Sequence, residues 1–190
     1  MKTIMTNVGI TGTRPDLIDR IMVGVILEKR DSRHAWQDHS WRAVGIIPGG
    51  GQDRAGRLLS EGPGWAQFYA GALELRLFPK ETDGYRQNLL SGQPKVYVVL
   101  RPNDGQAGDT GQTMQPFLVT VCPHEAQDYL DSGEESVDCV PMPPETRLWL
   151  AQFVERHHVH EPFIKRQRNP KTGDGHGDPF WRKPPVTDRD

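Results

Sequence analysis

Cysteine is scarce in this chain: Cys122 and Cys139 are the only two in 190 residues. A small fold stapled by several disulfides is excluded, and a reduced intracellular pair is the simpler expectation. Long apolar runs are also missing. Nothing approaches the roughly 18 apolar residues of a membrane-spanning helix. The first twenty residues carry Lys2, Arg14, Asp16 and Asp19 where a secretory signal would have an apolar core. A cytoplasmic protein with no membrane partner is expected. Excess charge of either sign is absent too: Lys+Arg 23 against Asp+Glu 25 gives −2, so the whole chain shows no commitment to nucleic acid or an anionic surface.

Familiar catalytic signatures are lacking as well. Ser60, His39 and Asp38 have no Gly-x-Ser-x-Gly setting and nothing to position an oxyanion hole. The run Gly49-Gly50-Gly51 lacks the Lys-Ser/Thr ending of a phosphate-binding loop and reads as a flexible turn.

What is present is turn-rich and strand-rich. Twenty glycines and 16 prolines break the chain into short segments. Residues 21–27 and 41–47 are Val- and Ile-rich runs that read as mostly buried strands. Between them the polar tip 33–40 holds Trp36, Asp38 and His39, with Trp41 beside it. Large hydrogen-bonding side chains on a connection suggest a recognition surface.

Leu58 and Leu59 begin a short strand closed by Gly62-Pro63-Gly64, and residues 65–78 read as a hairpin with a turn or bulge at Gly71. Leu73, Leu75 and Leu77 alternate with Glu74 and Arg76, giving one dry face and one wet face. Residues 81–90 suit a helix ended by Gly92, with Tyr85 and Leu89 on its buried side. Strands are expected at 95–100, 117–121 and 136–140, with a polar loop over 102–115. Residues 124–130 form a short helix that starts after Pro123 and stops at Gly133. The strongest helix covers 145–157, where Trp149, Leu150, Phe153, Val154 and His157 make one apolar stripe. From 169 onward glycine, proline and charge dominate, and a disordered tail is expected, with Phe180 and Trp181 as its only aromatic pair. The domain plan is therefore a leader at 1–20, a single domain at 21–168 and a tail at 169–190.

Three chemical readings compete. Imidazole and thiolate ligands for a metal or cofactor could come from Cys122, His124 and His157. Their spacing argues against it, since His157 and His158 point about 100° apart on a helix and no paired ligand motif accompanies them. Cys122, just before a helix start, is also a candidate activated thiol, although a buried cysteine ending a strand explains it as well. The second reading is RNA binding by the basic cluster Lys165, Arg166, Arg168 and Lys171, which lacks interleaved aromatics and ranks last. The third is protein docking. Residues 125–138 hold six acids and no Lys or Arg, a surface suited to a basic partner.

Several strings then become recognisable together: Trp36-x-x-His39-x-Trp41, Lys80-Glu81-Thr82 with Tyr85-Arg86, residues 96–101, residues 125–135, residues 140–143, and Phe153-Val154 through Arg168. In this order they resemble a small, chiefly proteobacterial family known as a domain of unknown function. The resemblance spans about residues 21–168. It implies a role near formate dehydrogenase, whose genes often neighbour those of the family, and it implies no catalytic residue or cofactor.

The combined expectation is an α+β fold: an antiparallel β-sheet or small β-barrel packed by a C-terminal amphipathic helix, with a disordered tail. Its function would be that of a non-enzymatic accessory factor without cofactor or metal. It would bind formate dehydrogenase or a maturation factor through Trp36, His39, Trp41, Glu125, Asp128, Glu134 and Glu135.

Overall fold

The computed structural model describes residues 18–32, 38–52, 55–103 and 111–159. Among the described residues seven strands and three α-helices follow one another, with a 3-10 turn at Pro79–Glu81: β1 Asp19–Asp31, β2 His39–Pro48, β3 Arg57–Gly62, β4 Trp65–Leu77, α1 Thr82–Leu90, β5 Lys95–Pro102, β6 Met114–Thr120, α2 Pro123–Ser132, β7 Ser136–Pro141 and α3 Pro144–His157. The strands form two antiparallel sheets, ordered β2-β1-β4-β3 and β6-β5-β7. The α+β expectation is met by two sheets, and no closed barrel forms among the described residues.

The alternation of β1 and β4 explains the core. Val23, Val25 and Leu27 point to one face of β1, and Leu75 and Leu77 to the same face of β4. The three-stranded sheet contributes Val96, Val98 and Leu100 from β5, Val119 from β6 and Val140 from β7. Both sheets thus bury one face against the other, and α1 and α3 add Tyr85, Leu150 and Phe153. Each such side chain contributes about 1.5–3 kcal/mol when fully buried. The rings of Tyr85 and Phe153 meet edge to face at 6.1 Å, a favoured aromatic geometry.

Residues 65–78 do not form a hairpin. They are one 13-residue strand whose middle bulges at Gly71, with φ +102°. There the β1 register jumps from Gly24↔Ala72 to Ile26↔Tyr69. A bulge inserts one residue without reversing the chain, and glycine supplies the positive φ it needs. The actual reversal lies at Gly62-Pro63-Gly64, which joins β3 to β4.

The sheets meet along two lines where strands from different sheets lie close. Beside β2, the N–H of Ala43 donates to Asp138 Oδ2 of β7 at 2.6 Å. Beside β4, strand β3 pairs only as far as Tyr69, so among the described residues 73–77 keep a free edge. That edge adjoins the free outer edge of β6.

Asn88 ties these parts together. Its Nδ2 donates to the carbonyls of Lys95 (2.7 Å) and Val121 (2.8 Å), and its Oδ1 accepts from the N–H of Lys95 at 2.9 Å. One buried amide therefore fixes α1 against β5 and the end of β6, because buried polar groups must be paired.

Candidate functional site

Among the described residues, the predicted recognition residues fall in different settings. Trp36 lies outside the described residues. His39 opens β2, partly exposed, with Nδ1 3.3 Å from Asp31 Oδ1. Trp41 is a correction: its indole is only 8 % exposed and belongs to the core. It packs at 5.7 Å from the Phe68 ring, with Lys29 Nζ 5.8 Å away. Its place follows from the strand period: Trp41 shares the inward face with Ala43, and a large apolar ring is worth more there than in water. It is a core residue.

The acidic stretch fares differently along its length. Glu135 is spent within the fold, accepting from Arg101 at 2.6 and 2.8 Å and from Ser132 at 2.6 Å. The Ser132 hydroxyl first, and then Arg101, hold its carboxyl below the ordinary value. Asp138 is enclosed between the sheets, and burial pushes its carboxyl up although the Ala43 N–H and Arg42 pull the other way. Asp128, Asp131 and Glu134 stay exposed on α2 and the turn after it, and Glu125 is half-buried.

Sequence reasoning missed the aromatic half of this face. Phe117 of β6 is 40 % exposed and Leu130 of α2 is 48 % exposed. Tyr129 meets Phe117 edge to face at 6.2 Å, and the Arg101 guanidinium lies 3.2 Å from the centre of the Phe117 ring. Simple alternation would set Phe117 on the buried face of Val119, but the β5–β6 register shifts between Val99 and Leu100 and the ring lies instead against Arg101 and Tyr129. Only the packing of α2 against the sheet reveals that this ring stays half-open.

Next to these residues runs a groove of about 320 Å³ along the β4–β6 boundary. Leu73, Glu74, Arg76 and Phe78 form one wall, and Phe117, Leu118, Val119 and Glu125 the other. Successive strand residues point to opposite faces, so neighbours such as Phe117 and Leu118 lining one groove mean that it follows the strand edges. Its cations are already engaged: Arg76 Nε is 2.6 Å from Glu74, and Arg20 Nη1 is 3.2 Å from the same carboxylate. The hydrogen bond from Arg76 is the main reason the Glu74 carboxyl sits below its ordinary value.

The proposed metal and thiol residues form no such site. Cys122 is fully buried, His124 is exposed, and the His157 ring stacks on Phe153 at 4.5 Å. Among the described residues no group of three or more His, Cys, Asp or Glu gathers to hold a metal ion. Burial raises the Cys122 thiol, against the pull of the Glu125 and His124 N–H groups, and its Sγ donates to Glu81 Oε2 at 3.6 Å. A thiol held protonated is a poor nucleophile. The basic cluster at 165–171 lies outside the described residues.

On the opposite sheet face Glu28 is 4 % exposed yet charged. Burial pushes its carboxyl up, but hydrogen bonds from Gln67 and Arg42 and the charges of Arg30 and Arg42 together hold it below the ordinary value. This is a structural knot on the sheet. No helix among the described residues is long and apolar enough to cross a membrane.

A sequence model of the family described as "Protein of unknown function (DUF3305)" matches residues 22–167. No curated protein and no solved structure matches the chain.

Proposed function

The chain belongs to that family, and from this premise we propose that it is a non-enzymatic accessory protein of the cytoplasm that binds a protein partner. The partner class is formate dehydrogenase or one of its maturation factors, as the gene neighbourhood of the resembling family implies. The observation that carries this reading is the face built by α2 and β6. It combines half-open Phe117, Tyr129 and Leu130 with the exposed carboxylates of Asp128, Asp131 and Glu134. Aromatic anchors supply affinity in such an interface, while charges steer encounter and fix orientation. The rest of the acidic stretch plays another part: Glu135 and Asp138 hold the fold together.

The reading is tested by capture from cells that contain the dehydrogenase. The full chain retains a dehydrogenase or maturation component. The Phe117→Ala/Tyr129→Ala variant, with an unchanged circular dichroism spectrum, does not. Equal recovery by both proteins would refute the assignment of this face.

A further inference from the structure

The groove beside this face is more specific than the face itself, and its assignment rests on the protein-binding function just proposed. Its apolar walls are Leu73, Phe78, Phe117 and Leu118. Of the nearby cations, Arg101 is paired with Glu135, and Arg76 and Arg20 share the one carboxylate of Glu74. Among the described residues Glu125, at one wall, enters no ion pair, and neither does Asp128 on the next exposed turn of α2. With Glu74, Glu125 and Asp128 set against Arg20 and Arg76, the local balance is one negative charge over an apolar floor. An acidic ligand is repelled, and a purely apolar one leaves the carboxylates unused.

The backbone adds a second constraint. Among the described residues, neither the outer edge of β6 nor residues 73–77 of β4 has a ladder partner on the side facing the groove. Unspent N–H and C=O groups on such edges recognise extended chains. We propose that the β4–β6 groove seats an extended segment of the partner in which apolar side chains alternate with Lys or Arg. The apolar positions enter between Phe78 and Phe117, and a basic position meets Glu125 and Asp128. A groove of about 320 Å³ admits one or two such side chains.

The test uses the full chain and two dye-labelled peptides, acetyl-Arg-Leu-Lys-Leu-Arg-amide and its analogue with Glu at every basic position, followed by fluorescence anisotropy. The basic peptide binds saturably and more weakly as salt rises, while the acidic one does not bind. Glu125→Gln/Asp128→Asn weakens the basic peptide about fivefold or more. Phe117→Ala weakens it without changing its salt dependence. Equal binding of both peptides, or no effect of either variant, overturns the proposal. So does self-association of the protein that Phe117→Ala abolishes, because the occupant is then a second copy. Peptide binding without capture of any dehydrogenase component supports the groove and sinks the wider functional reading. Capture that survives in the face of absent peptide binding does the reverse.

Discussion

Thr146 offers the sharpest check on the packing. It sits in the first turn of α3, 1 % exposed, and its hydroxyl has no hydrogen-bond partner among the described residues. A buried hydroxyl left unpaired costs about 1–3 kcal/mol. Thr146→Val replaces that hydroxyl by a methyl of nearly the same shape. Valine and threonine have similar helix propensities, so the backbone contribution is about zero. The variant is therefore expected to be more stable by about 1–3 kcal/mol. For a chain of this size that raises Tm by about 2–4 °C for each kcal/mol gained. Urea unfolding followed by circular dichroism is the direct assay, and the midpoint should rise with an unchanged slope. Thr146→Ser, which keeps the hydroxyl and loses the buried methyl, should lower stability by about 1 kcal/mol. An unchanged or lowered midpoint for the valine variant would mean that the hydroxyl is satisfied, and the reasoning would fail.

Other ties in the fold give further outcomes. Asn88→Ala removes three hydrogen bonds around Lys95 and Val121 and should cost roughly 3 kcal/mol in urea unfolding; a loss under about 1 kcal/mol would contradict the buried network. Gly24→Ala drives a methyl into the Tyr69 ring, and calorimetry should show a loss of about 1–3 kcal/mol from overpacking. Asp138 and Glu28 should give opposite pH dependences. Burial raises the folded value of Asp138, so its contribution is fully present below the unfolded value and is lost as pH rises through the folded one. Glu28 is held low, so its contribution is present above the unfolded value and is lost as pH falls through the folded one. Unfolding measured across acid pH should accordingly show Asp138→Asn flattening the loss on rising pH and Glu28→Gln flattening the loss on falling pH; the same sign for both would refute the assignment.

Local pattern made much of the fold legible. The alternation at Leu73, Leu75 and Leu77, the stripe Leu150–Phe153 and the stop at Gly133, with φ +72°, each locate an element because face and cap are short-range properties. Pairing is not. Whether Gly71 reverses the chain or only bulges it depends on β1 lying beside both halves of β4, contacts that run from Arg30↔Trp65 to Asp19↔Leu77 and are distant in sequence. The same limit hid the site. In sequence Trp41 stands beside the polar tip and reads as part of its recognition surface, yet pairing with Lys29 carries β2 to His39 and turns the indole inward. Phe117 reads as strand core, yet among the described residues no strand covers the outer edge of β6 there. Burial of Glu28, an acid in an apolar strand, likewise requires Arg30, Arg42 and Gln67 from three strands, and no single strand announces such a meeting.

The protein-binding reading turns on one comparison: recovery of formate dehydrogenase or maturation components by the full chain and by a variant with Asp128→Asn, Asp131→Asn and Glu134→Gln. The three carboxylates are exposed, so the fold should be unaffected by their neutralisation. Recovery is expected from the native chain at low salt, with a clear drop for the neutralised variant. Equal recovery by the two, or none by either, would contradict it.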